Sequence, residues 1–342
     1  MTPTTHMRTE VEEIPAVAAR FLHGARAEIA AAAAAMRAAD PALLVTVARG
    51  SSDHAATYLK YGAELTAGVP VASCGPSVAS IYGKQLRLTG AVCIGISQSG
   101  RSPDIVEMMR SAGVGGALTL AITNFADAPM ALVCNHTLAL HAGVEQSVAA
   151  TKTFVASVLA TLALLAEWQQ DEPLRRAVAG LPEAFAQALD CDWTPLAERL
   201  AGAGSLYVLG RGPGFAIANE MALKFKETCG IHAESYSAAE VLHGPSAIVQ
   251  QGFPVLALGV QDAALPQVLA TADRLVGQGA DVFLTAGQVK GAVTLPSVTG
   301  LHPLVAPLVL IVSFYSFIEA LARARGLNPD LPPHLRKVTR TL

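Results

Sequence analysis

The sequence predicts an α/β fold in which one doubly wound parallel sheet is built twice. Three observations carry this. Continuous apolar runs such as Ala91–Ile96 (AVCIGI) recur between stretches of helical character, the pattern of parallel strands covered on both faces. The chain also matches itself. VARGSSDHAATYLKYGAELTAGVPVAS, from Val47, lies without a gap over LGRGPGFAIANEMALKFKETCGIHAES, from Leu209. Arg49-Gly50 then falls on Arg211-Gly212 and Gly68 on Gly230. Finally, the glycine turns stand at strand ends, where such sheets bind ligands.

Taken in order, residues 1–34 form a helical segment whose alanine run, Ala30 to Ala35, is a good helix former. Domain one spans about 35–180 and domain two about 195–325, bridged by QQDEPLRRAVAGLPEAF with its charges, Gly and Pro. Each copy reads strand, Gly turn, helix, short strand, helix, strand, helix, strand. At the same register AVCIGISQSG lies over FPVLALGVQD; one residue further out, ALTLAITN at 117 lies over ADVFLTAG at 280. The tail, residues 326–342 (GLNPDLPPHLRKVTRTL), has three prolines and reads as an irregular arm.

Composition narrows the function classes. The 342 residues are 52% hydrophobic and 15% charged, enough for a large core and against disorder. A net charge of −3 without a Lys/Arg block gives no reason to expect nucleic acid. The mean hydropathy of +0.41 invites a membrane reading. Yet Phe154–Ala166 and Leu304–Ile318 are shorter than a spanning helix needs, and the second contains Pro307. MTPTTHMRTEVEEIP is polar and acidic with no apolar signal region, and five scattered cysteines without a CxxC pair suit reduced thiols. A cytoplasmic protein is expected. The nine histidines show no metal-ligand spacing, so no metal is expected.

Several stretches carry candidate chemistry. Ser97-Gln98-Ser99-Gly100 follows a strand directly, with Ser102 and Pro103 opening the next helix. Hydroxyls, an amide and free helix N–H groups suit an anion; the plainer reading is a polar turn with a helix cap. The second copy has GVQD there and no serine, an asymmetry that favours a ligand. ARGSSDHA (48–55) is a second hydroxyl-bearing turn, offering Gly50, Ser51 and Ser52. VLGRGPGFA looks like a dinucleotide fingerprint, but Phe215 stands where a third small residue belongs, so the nucleotide reading is weak. Lys224 and Glu227 share one helix face, which is either a surface ion pair or a partly desolvated proton shuttle. His243 sits on a His-Gly-Pro turn and is an acid–base candidate, though a lone histidine is usually structural.

Together these motifs resemble the sugar isomerase (SIS) family, above all the isomerase half of glucosamine-6-phosphate synthase and related stand-alone deaminases. The resemblance runs through EVEEIP, RGSSDHA, SQSGRSPD, EQSVAATKTF, ALKFKE, AEVLHGP and HLRKVTRTL in order. It implies two tandem SIS domains of flavodoxin-like topology. It also implies phosphate ligation by Ser97, Gln98, Ser99 and Ser102 with Ser51 close by. Gly50, Ser52, Val148 and Ala149 would line the sugar. Glu227 would move a proton between carbons 1 and 2, with Lys224 assisting; His243 would open the ring and Lys337 would form a Schiff base. The synthase usually has Ser where this chain has Ala150. No cofactor is implied. A homodimer is, with His243 reaching a neighbour's site.

The first cysteine here is Cys74, and no glutaminase segment is recognised. The expected reaction is therefore glucosamine 6-phosphate to fructose 6-phosphate plus ammonia. Rival expectations are a fructosamine-6-phosphate deglycase, a galactosamine-6-phosphate deaminase, a synthase subunit fed by a separate glutaminase, and a non-catalytic phosphosugar sensor.

Overall fold

The structure is a computed structural model and describes residues 4–337. Its contacts divide the chain into two compact units that interleave along the sequence. The first-sheet unit comprises Glu13–Glu145, Lys152–Pro182 and Arg336–Leu342. The second-sheet unit comprises Met1–Glu12, Gln146–Thr151 and Glu183–Leu335.

The first sheet has strands β1 (Leu43–Val47), β2 (Val71–Ser73), β3 (Ala91–Ile96), β4 (Leu118–Thr123) and β5 (His136–Ala139). They are all parallel, in the order β2-β1-β3-β4-β5. Every residue of β3 is buried, as an unbroken apolar run demands of a strand covered on both faces. One face packs Val45, Val47 and Cys93 against Met108, Met109 and Ala112 of the Pro103–Val114 helix.

The second sheet has β6 (Ser205–Gly210), β7 (His232–Ser237), β8 (Pro254–Ala257), β9 (Asp281–Leu284) and β10 (Val293–Thr294). Its order, β7-β6-β8-β9-β10, is the first sheet's order again, the flavodoxin-like 2-1-3-4-5. The ladders reproduce both alignments read from the sequence. Val92 pairs with Leu118 in one sheet, and Pro254 with Asp281 in the other.

Three readings need correction. Each sheet has a fifth strand that the sequence pattern did not reveal, because HTLA and VT are short, incompletely buried edge segments without an apolar run. The bridging stretch forms two helices, Glu172–Ala179 and Leu181–Leu189. Asp171 caps the first by accepting the Leu174 N–H, and Pro173 sits in the opening turn, where a missing N–H costs nothing. The third concerns the last apolar run. It extends into a 19-residue helix, Ala306–Ala324, long and apolar enough to cross a membrane, and 78% of its apolar window is buried inside the protein. Phe314 and Phe317 of this helix pack against Trp193 and Phe225, as in a core helix. Residues 326–337 hold turns but no helix or strand; 338–342 of the tail lie outside the described residues.

Candidate active site

The first sheet reverses its strand order between β1 and β3, so its ligand crevice is expected beyond their carboxyl ends. Two predicted turns flank that position. After β1, Gly50 has φ 56° and ψ −134°, a conformation open to glycine, and starts the Ser51–Thr66 helix. Ser51 and Ser52 therefore occupy the helix's opening turn, both half-buried. After β3 comes the serine turn. The Ser97 hydroxyl, buried, accepts the Gly100 N–H at 3.2 Å, and Ser99 Oγ accepts the Arg101 N–H at 3.3 Å. Gly100 adopts φ 60°, and a Cβ there would fall 2.6 Å from the Ala128 Cβ. Only glycine fits.

Ser102 starts the Pro103–Val114 helix in extended conformation, but its hydroxyl makes no capping bond. Part of the plain capping explanation is thereby removed. Gln98 is fixed through its backbone, whose carbonyl accepts the Asn124 N–H at 3.0 Å, and its side chain is half-buried. Arg49, just before the glycine turn, forms an ion pair with the buried Asp104 of the serine-turn helix. This pair ties the two turns together, and the sequence reading did not assign it. Arg211, the matching residue of the second copy, donates instead to Ser237 Oγ at 2.8 Å.

The acid–base candidates lie in the second-sheet unit, on the Pro213–Cys229 helix. Lys224 is fully buried, so the surface-pair reading fails. Its Nζ stands 2.5 Å from Glu227 Oε2 and 3.2 Å from Glu220 Oε1. Burial works against the charge on Lys224, but Glu220 and Glu227 together outweigh it and raise the pKa. The Tyr315 hydroxyl donates to Glu220 at 3.1 Å. Glu220 is wholly buried, whereas 20% of the Glu227 side chain is exposed. Of the two carboxylates, only Glu227 has exposed surface. Glu220 stands four residues before Lys224, a spacing that could have flagged it; nothing local pointed to Tyr315.

His243 ends a short 3₁₀ turn, Glu240–His243, and is exposed. Gly244 follows with φ 144°, which breaks the chain between this turn and the next, Pro245–Ile248. No hydrogen bond or ion pair joins His243 to Lys224 or Glu227 among the described residues. Val148 is half-buried and Ala149 buried, in a loop of the same unit.

Lys337 belongs to the first-sheet unit, where its Nζ lies 2.6 Å from Glu145 Oε2. Glu145 is a buried carboxylate that also accepts the Thr153 N–H at 3.0 Å and the Thr153 hydroxyl at 2.7 Å. Burial would push its pKa up; Lys337 and Thr153 outweigh that and lower it. Glu145 lies in the EQSVAATKTF motif, but its role needed a partner 192 residues away. Among the described residues no His/Cys/Asp/Glu group could hold a metal ion.

The SIS domain family matches this chain twice, over residues 40–167 and 199–323. The glutamine–fructose-6-phosphate aminotransferase (isomerizing) of Aeropyrum pernix is 33% identical over 97% of this chain and 56% of its own length. The chain spans about half the length of such curated relatives. A crystal structure from Silicibacter pomeroyi DSS-3, of a protein assigned as a phosphosugar isomerase, is 53% identical with a TM-score of 0.93. That match covers 96% of this chain and 100% of the other. The glucosamine-6-phosphate deaminase of Thermotoga maritima shares the fold: TM-score 0.78, 20% identity, 98% of this chain and 100% of that one. With two matched copies, each on a sheet of the same strand order, the chain belongs to the SIS domain family.

Proposed function

We propose that this chain is an isomerase acting on phosphosugars, and more narrowly that it deaminates glucosamine 6-phosphate to fructose 6-phosphate. One observation carries the reading most. A fully buried lysine is held charged between two carboxylates, of which only Glu227 has exposed surface. That is an arrangement for moving a proton. The serine turn at the first sheet's switch point supplies the anion ligands; the matching turn of the second copy has no serine. Relatives named as isomerising aminotransferases and a structural neighbour named as a deaminase support the same chemistry.

In this reading Ser97, Gln98, Ser99 and Ser102 hold the phosphate, with Ser51 beside them. Gly50, Ser52, Val148 and Ala149 line the sugar. His243, exposed and mounted on a glycine-broken turn, exchanges the proton that opens the ring. Glu227 takes the carbon-2 proton of the open aldehyde and returns it to carbon 1, leaving an imine at carbon 2. Lys224 stabilises the charge on Glu227 before and after transfer. Water adds to the imine carbon and ammonia leaves. Alternatively Lys337, once its proton is lost, adds to the imine carbon and displaces ammonia, and water then hydrolyses the resulting Schiff base to release the keto sugar. Each site is completed in a homodimer, His243 coming from the neighbouring copy, and the protein works in the cytoplasm.

Ammonia release from a panel of 6-phosphorylated amino sugars tests the proposal. Glucosamine 6-phosphate should be turned over fastest. Release from galactosamine 6-phosphate or a fructosamine 6-phosphate alone would replace the substrate. No release, with fructose 6-phosphate still bound, would leave the sensor and the synthase-subunit readings.

A further inference from the structure

The EVEEIP motif has no part in the chemistry above, yet its first glutamate is one of the few carboxylates buried in the second-sheet unit. Glu10 lies on the His6–Glu12 helix and is 4% exposed. Its carboxylate accepts the Gln146 N–H, the Ser147 N–H at 3.3 Å and the Ser147 hydroxyl. Ser147 Oγ also lies 3.1 Å from the Ala149 carbonyl. The next residue, Val148, donates its N–H to the Asp330 carbonyl at 3.0 Å. Asp330 in turn accepts the His6 and Met7 N–H groups through its side chain, at 2.9 and 2.8 Å. Gln146–Thr151 forms no helix or strand, so its backbone groups must find partners elsewhere. Glu10 and Asp330 are those partners for three consecutive residues.

We infer that Glu10 is a positioning residue: it fixes the loop that presents Val148 and Ala149 to the sugar, without touching substrate itself. This rests on the proposed function for what the loop faces, but not for what holds it. The bonding pattern makes a further demand. Two N–H donors and one hydroxyl meet Glu10, so an acceptor of the right shape is needed rather than a charge. A glutamine would serve: its carbonyl oxygen takes both N–H groups, and its amide donates to Ser147 Oγ, which then donates to the Ala149 carbonyl. An alanine takes the Glu10 acceptor away from both N–H groups, while the Ser147 hydroxyl keeps only the Ala149 carbonyl.

The test compares Glu10→Ala and Glu10→Gln with the wild-type chain in three readings. These are hydrogen exchange of the Gln146 and Ser147 amides, and calorimetric binding of inorganic phosphate and of fructose 6-phosphate. In Glu10→Ala the two amides should exchange at least about tenfold faster, and fructose 6-phosphate should bind about tenfold more weakly. Inorganic phosphate should bind within about twofold of wild type, and Glu10→Gln should restore all readings to within about threefold. Unchanged exchange, equal loss of both ligands, or a glutamine as impaired as alanine would overturn the inference. If Glu10→Ala does not fold, Ser147→Ala removes one leg alone. It should weaken fructose 6-phosphate about threefold and leave phosphate unchanged, and no weakening would count against the role. If the wild-type chain binds no sugar phosphate, the functional reading falls, while amide exchange still decides whether Glu10 holds the loop.

Discussion

The two sheets share a backbone at their switch points and differ in what they place there. Gly50 and Gly212 have the same φ, 56°, and ψ values of −134° and −136°; each starts a helix after the first strand of its copy. Around this common frame, the first copy puts Ser51 and Ser52 where the second has Pro213 and Gly214. It puts Ser97-Gln98-Ser99-Gly100 where the second has Gly259-Val260-Gln261-Asp262. The strand ends differ too. A Cβ on Gly210 would lie 2.3 Å from the Gly214 carbonyl oxygen, so the second copy's helix packs down onto its own strand. The first copy has Ala48 at that position and keeps the helix clear of it. Duplication supplied two crevices. The first copy's turns carry hydroxyls; the second copy's turn, Gly259-Val260-Gln261, lines a cavity of about 310 Å³ without them, and its helix buries Lys224 between Glu220 and Glu227. Repetition of fold is therefore no argument for repetition of site.

The comparison breaks most sharply at Glu227. Glu227→Gln should lower turnover about 10²- to 10⁴-fold while phosphate binding in the other unit stays near wild type. Steady-state ammonia release and phosphate calorimetry on one preparation would check this; parallel loss of both would mean the roles are not divided between units. Gly100→Ala comes next. A side chain at φ 60° pressed into Ala128 should destabilise the first-sheet unit by about 1–3 kcal/mol, read by urea unfolding. Asp262→Ala, at the matching position, should cost far less.

A third effect concerns assembly. Glu227→Gln and His243→Ala chains, unfolded and refolded together, should regain about a quarter of wild-type activity if sites are shared across a two-fold axis. Absence of rescue, despite proven subunit exchange, would place His243 in its own chain's site. The smallest effect is on pH dependence. The lowered pKa of Glu145 contributes stability that is present above about pH 4 and lost as pH falls below it. The raised pKa of Lys224 has the opposite sign: its contribution is present below about pH 10 and lost as pH rises past it. The chain's two tryptophans report on the units separately, Trp168 in the first-sheet unit and Trp193 in the second. Trp168 fluorescence should change first on the acid side and Trp193 first on the alkaline side, followed in Trp193→Phe and Trp168→Phe chains. The reverse order would contradict both assignments.

Much of this comparison was legible in the sequence because it lives in short-range pattern. Unbroken apolar runs mark β3 and β8, largely apolar ones mark β4 and β6, and the repeat register predicts which turns correspond. The serine asymmetry is visible in ten residues of each copy. What the sequence hid was pairing at long range. Tyr315 with Glu220, Ser147 with Glu10 and Lys337 with Glu145 lie 95, 137 and 192 residues apart. No local spacing encodes such partners. The edge strands β5 and β10 escaped for a related reason: an edge strand buries too little to need an apolar run. The interleaving of the units escaped as well, since a loop of six residues, Gln146–Thr151, groups with the unit opposite to its flanking segments.

Calorimetric titration with fructose 6-phosphate tests the division of labour most directly. The wild-type chain should bind one molecule per chain, with inorganic phosphate competing. A Ser99→Ala/Ser102→Ala chain should bind at least about tenfold more weakly. Gln261→Ala, on the second copy's turn, should bind as wild type. Two molecules per chain, or binding that survives loss of the serines, would contradict the assignment of the anion site to the first sheet.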